Sequence, residues 1–168
     1  MSVSVAAILS PERVGVSTDA SGRAQTKDSI LEQVSVLLAR GTTSRAPGRG
    51  PSQRDILRVL VERERMQSTG VGLGVAIPHG TLDGVEAHVG ALLVCRPAVP
   101  FDALDGRPVS VVFALLGPKG AAALHLKLLA RVARLLRDES ARSRLSGVDS
   151  EATAYSLLLE LERAHAGQ

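Results

Sequence analysis

From Thr26 onward, Ile30, Leu31, Val34, Leu37 and Leu38 recur at helical spacing, which predicts an amphipathic helix with one buried face that Gly41 stops. Ser52 is a good N-cap with Asp55 three residues on, so a second helix starts there, with Ile56, Leu57, Leu60 and Val61 as its buried face and Arg63 near its end. Between the two, residues 41–51 are rich in Gly, Ser, Thr, Arg and Pro and read as a surface loop, possible partner contacts in it being Arg45 and Arg49. Val75-Ala76-Ile77 is a short buried strand whose pairing Pro78, lacking an N–H, is expected to end.

Two longer runs, His88 to Cys95 and Val109 to Leu116, are too continuously apolar to face water on both sides. After the turn Gly117-Pro118-Lys119-Gly120, a strong helix begins at about Ala121, with Leu124, Leu128, Val132 and Leu135 inward. Lys127, Arg131 and Arg134 form its outer, solvated stripe. Asp138 and Asp149 are candidate caps for two last helices, the second carrying Leu157, Leu158 and Leu161. In the first 24 residues Val3-Ser4-Val5 alternates and Arg13-Val14-Gly15-Val16 suggests a first strand. Helices before, between and after strands predict an α/β fold, a mixed sheet packed between helices.

Composition narrows the function classes. A chain of 168 residues, 45% hydrophobic and 22% charged, suits one compact domain, with a core over residues 10–164. Aromatics are only 2%, so stacking platforms for single-stranded nucleic acid are almost absent and no nucleic-acid partner is expected. The net charge of +3 permits steering of an acidic partner without requiring one. One cysteine, Cys95, lies in an apolar run and reads as a core residue, and neither a leader segment nor a membrane-span-length stretch is visible. A cytoplasmic protein without membrane insertion is expected. The scattered His and single Cys lack metal-ligand spacing, so neither a metal nor a cofactor is expected.

The stretch from Arg63 to Gly80 carries the chemistry: a polar helix end, glycines at 70, 72 and 74, a short strand, and His79 directly after Pro78. Glycine enters positive φ cheaply, so this loop turns sharply. A dinucleotide fingerprint follows a strand and opens a helix, and a P-loop ends in Gly-Lys-Ser/Thr; this loop does neither. Two readings of the residues themselves stand: a reactive histidine presented at a strand end, or a tight turn that contains a histidine.

The run Ser68-Thr69-Gly70-Val71-Gly72-Leu73-Gly74-Val75-Ala76-Ile77-Pro78-His79-Gly80, preceded by Arg63-Glu64, resembles the signature of the enzyme IIA proteins of the bacterial phosphoenolpyruvate:sugar phosphotransferase system. Within that system it is similar to the fructose/mannitol branch and its nitrogen-regulatory members. The resemblance continues in Phe101 to Val109, Val112 to Leu116 and His125 to Leu136, so it covers most of the chain. It implies a mixed, about five-stranded sheet sandwiched between helices, with residues 1–168 as a single IIA domain.

It also implies roles. His79 matches the histidine that the family phosphorylates, on Nε2, from a histidine phosphocarrier protein. His125 matches the second active-site histidine, near the N-terminus of the long helix, where amides favour anions and where its ring can donate to a phosphoryl group; without the resemblance it reads as a satisfied core histidine. Arg63 matches an arginine beside the site whose guanidinium pairs with phosphoryl oxygens; its alternative is a charge complementing a helix C-terminus. His88 and His165 have no motif context and read as structural, and Glu64 either holds Arg63 or caps another group.

Leu73 departs from many nitrogen-regulatory relatives, which carry a polar residue there, often asparagine. The functions implied are a phosphohistidine relay that regulates target proteins, a metabolic IIA that passes phosphate to a IIB domain for sugar uptake, or an interaction module without phosphoryl transfer. Retention of Arg63, His79 and His125 disfavours the last.

Overall fold

The computed structural model describes residues 3–19, 22, 24–42 and 50–167; Arg45 and Arg49 of the expected loop lie outside them. After two short 3-10 turns (Ala6–Ile8 and Pro11–Arg13), the elements are β1 (Val14–Thr18), α1 (Lys27–Ala39), α2 (Gln53–Met66), β2 (Gly70–Gly72), β3 (Val75–Ala76), β4 (His79–Thr81), β5 (Val89–Val99) and β6 (Val109–Gly117). Three helices finish the chain: α3 (Ala122–Arg137), α4 (Glu139–Ser146) and α5 (Glu151–Ala166).

The helices begin where side chains can cap them. Thr26 and Ser52 each accept from the backbone of the third helical residue and complete reciprocal capping boxes with Ser29 and Asp55. Asp138 caps α4, but α5 is capped by Ser150 and not by Asp149. Helix α3 has Ala121 at its N-cap, with no side chain to satisfy its first amides.

The sheet is mixed, as expected, and its order is β1-β5-β6-β3-β2, with β4 also paired to β6. β5 and β6 are antiparallel, whereas β1 on β5, and β3 and β4 on β6, are parallel. Alternation along β5 sends Ala91, Leu93 and Cys95 toward α1 and α2, and Leu92 and Val94 toward α3 to α5. Both faces are therefore covered, which is why β5 and β6 read as continuous apolar runs. Burial pushes the Cys95 thiol up to about 12, as suits a core residue.

Two expectations need correction. Pro78 interrupts the pairing but does not end it: Ala76 is opposite Val112, and the same register resumes with His79 opposite Leu115. Pro78 lacks the N–H but keeps its carbonyl, which accepts from the Leu115 amide at 2.9 Å, so the chain stays at the sheet across the gap. On α3, Leu124 is exposed and the inward face is His125, Leu128, Val132, Leu135 and Leu136. Leu128, Val132 and Leu135 are buried as expected, and only the first position changes, from Leu124 to His125.

Candidate functional site

The glycine stretch forms a tight hairpin. Leu73 (φ 59°) and Gly74 (φ 78°) are its central residues, both in the left-handed region that a two-residue type I′ turn demands. The Asp105 carboxylate clamps the turn, accepting from the Leu73 amide at 2.8 Å and, through its other oxygen, from Arg107 at 3.1 Å. These bonds, that from Leu73 first, hold its pKa below the usual carboxylate range.

The hairpin's outer strand is anchored from below by Glu64. This buried carboxylate accepts from the Thr69 amide at 3.1 and 3.0 Å and from the Thr69 hydroxyl, and it pairs with Lys27 at 2.8 Å. Burial pushes its pKa up, but the Lys27 and Thr69 contacts outweigh this and leave it lowered. Thr69 in turn accepts the Ile77 amide at 2.9 Å, and the Ile77 carbonyl lies 2.7 Å from Nδ1 of His79. Of the two roles open to it from sequence, Glu64 takes the second: it ends a chain of bonds that begins at His79, and it binds Thr69 and Lys27 rather than Arg63.

A carbonyl oxygen has only lone pairs, so the short Ile77 contact requires the proton of His79 on Nδ1. Nε2 then carries the lone pair. Burial, opposed by the Ile77 bond and aided by the charge of Arg63, lowers the His79 pKa and favours the neutral ring. Arg63 itself is half-buried on the last turn of α2 and donates to the Gln67 carbonyl at 2.9 Å. Gly80 lets the strand approach α2 closely, since a Cβ there would collide with Val59.

His79 and His125 meet across the end of the sheet, ring centroids 5.9 Å apart and tilted by 48°. His125 is buried, and burial, then the neighbouring His79 and His88, push its pKa down to about 4. His88, which the sequence reads as structural for want of motif context, joins them. Its ring lies 5.3 Å from that of His125, so three histidines form a row at one end of β4, β5 and β6. Strand pairing makes the row possible: with Val89 opposite Leu116, His88 falls opposite Gly117, a residue that has no side chain. His165 is on α5, with Nδ1 2.9 Å from the Leu161 carbonyl, as a structural residue would be. Among the described residues no group of three or more His, Cys, Asp or Glu is arranged to hold a metal ion.

The family model described as "Phosphoenolpyruvate-dependent sugar phosphotransferase system, EIIA 2" matches residues 11–161. The chain belongs to this EIIA family. It is 44% identical over 109 residues to a nitrogen regulatory protein of Bradyrhizobium diazoefficiens, covering 65% of this chain and 71% of the relative. It is also 33% identical over 114 residues to a fructose-specific EIIA component of Haloferax volcanii, covering 68% of this chain and 74% of that one. Among solved structures, this EIIA chain is similar to the nitrogen regulatory protein IIA-Ntr of Neisseria meningitidis, with a TM-score of 0.77 and 34% identity over 92% of this chain and 98% of the other. Family and fold therefore agree with the resemblance carried by the glycine stretch. No helix among the described residues is long and apolar enough to cross a membrane.

Proposed function

We propose that this EIIA chain is a phosphohistidine relay whose acceptor is Nε2 of His79. The observation that carries the reading is the Ile77 carbonyl on His79 Nδ1, which fixes the proton and leaves one nucleophilic nitrogen on a neutral ring beside a second neutral histidine. The donor is a histidine phosphocarrier protein. In an in-line transfer the donor's P–N bond breaks as the bond from phosphorus to His79 Nε2 forms, and the donor ring leaves with its electron pair. His79 keeps its Nδ1 proton, and the positive charge that its ring gains is stabilised by the Ile77 carbonyl.

His125 donates an N–H to a phosphoryl oxygen, and the uncapped first amides of α3 supply further positive potential. Arg63 leaves the Gln67 carbonyl to pair with phosphoryl oxygens, which are the stronger, charged acceptors. Exposed Leu124 and Leu126 flank His125 and offer a partner an apolar contact beside the site. Both hydrophobic clusters pack on one sheet, which supports reading residues 1–168 as a single IIA domain.

The output is regulatory: the phosphorylated and free forms differ by about two negative charges at one spot, and target proteins in the cytoplasm distinguish them. Similarity to nitrogen regulatory proteins supports this. The fructose-specific relative favours a second reading, in which a IIB domain takes the phosphate for sugar uptake.

Phosphorylation from phosphoenolpyruvate with purified enzyme I and phosphocarrier, read by intact mass, tests the relay. One phosphate on the native chain and none on His79→Ala is expected. A folded native chain that stays unmodified with several phosphocarriers rejects it, and rapid onward transfer to a IIB domain selects the second reading.

A further inference from the structure

We infer that His88 is a positioning residue for His125: on a turn of the two neighbouring rings its Nε2–H donates to His125 Nδ1 and holds His125 in the tautomer whose proton is on Nε2. The inference rests on the relay reading for its functional consequence, though not for the bond itself.

Nε2 of His88 and Nδ1 of His125 are both buried, and neither has a hydrogen-bond partner in the protein, so as placed they stand close without yet bonding each other. Two such orphans are costly apart, and they lie at one place. A Cβ built on Gly117 would overlap the His88 ring at Nε2 and would stand 3.0 Å from His125 Nδ1. Both nitrogens therefore face the same bare α-carbon, on rings 34° from parallel. Any residue but glycine at 117 would fill the space through which they meet.

A neutral imidazole has one donor and one acceptor. His125 is buried with its pKa near 4, so it does not carry two protons at neutral pH. If its proton is on Nε2, that nitrogen can serve a phosphoryl oxygen, and Nδ1 needs a donor. His88 is half-buried, with the rest of its ring toward a cleft also lined by Arg13, Gly41 and Glu86. Its Nδ1 can take either role toward water, so its Nε2 is free to be the donor. The arrangement is that of a histidine ligand whose second nitrogen is fixed by an outer partner, with a phosphoryl group in place of the metal.

The test uses the full chain labelled with 15N at histidine, unphosphorylated, so that it does not depend on the relay. For His125, a protonated Nε2 and a pyridine-like Nδ1, coupled across the bond to His88 Nε2, are expected. His88→Phe should release that tautomer and slow phosphoryl transfer by roughly three- to tenfold with KM for the phosphocarrier unchanged, the scale of one hydrogen bond. His88→Gln, which retains a side-chain N–H, should restore most of the rate. His125 protonated on Nδ1 in the native chain overturns the inference whatever the variants do. So does a His88→Phe chain with the tautomer and the rate both intact. Should the native chain accept no phosphate while the tautomer is as expected, the relay reading fails and the positioning role with it, but the His88 to His125 bond stands.

Discussion

Nδ1 of His79 sits 2.7 Å from the carbonyl oxygen of the residue two before it, Ile77. The contact is local, yet it decides which nitrogen is available, because an imidazole that donates from Nδ1 has its lone pair on Nε2. Phosphate should therefore be attached at Nε2 alone. Coupling from 31P to the ring nitrogens of 15N-histidine-labelled, phosphorylated protein checks this; a phosphate on Nδ1 would mean that the Ile77 bond breaks before transfer.

Glu64 supports that geometry from a distance, through Thr69 and Ile77. Replacing it by alanine leaves the Thr69 amide and hydroxyl without their acceptor and Lys27 without its closest carboxylate. Glu64→Ala should cost about 2–3 kcal/mol in urea unfolding, the range for orphaned buried groups once the partial exposure of Lys27 is considered. Phosphoryl acceptance should slow as well, since the strand that holds Ile77 loses its anchor. Stability within 0.5 kcal/mol of native, to use the ordinary surface range, would show that the chain of bonds carries little.

Leu73 occupies the first central position of the hairpin turn, and its φ of 59° makes that position costly for a leucine. A branched side chain in the left-handed region costs about 1–2 kcal/mol, whereas asparagine tolerates it. Leu73 is also exposed, so little burial is lost on replacement. Leu73→Asn should raise stability by about 1 kcal/mol with phosphoryl acceptance at Nε2 retained. A less stable variant in denaturant titration would show that the leucine side chain makes contacts outweighing the strain.

How far the sequence reached depended on the range of the interaction. Ser52 and Asp55 announced α2 because capping acts within four residues, and the apolar spacing from Thr26 onward was sufficient to name the buried face of α1. Asp149 lost to Ser150 by one position, a choice that depends on backbone entry angle. Leu124 was placed inward because it continues the spacing of Leu128, Val132 and Leu135; the structure exposes it and buries His125, as the reading of His125 as a core histidine expected. The resumption of pairing after Pro78 depends on β6, thirty-six positions away in register. The His88 to Gly117 encounter is likewise a property of strand pairing. The motif offered His79, His125 and Arg63 as candidates, but the Ile77 bond, the Glu64 chain and the third histidine needed coordinates.

The histidine row also sets a pH dependence whose sign can be worked out. His79, His88 and His125 all have pKa values lowered by burial, His125 to about 4. In the unfolded chain each titrates near the ordinary value of about 6.5, so between that pH and the folded values the unfolded state binds more protons. Their contribution to stability is complete above about 6.5, falls as pH drops, and is lost below the folded pKa values. The melting temperature should therefore decline from pH 6.5 toward 4, and replacement of His125 by Gln should flatten part of that slope. Histidine NMR over the same range should show His125 neutral until about pH 4. A His125 that gains its second proton near 6.5 in the folded protein would contradict both its burial and its place as a neutral donor.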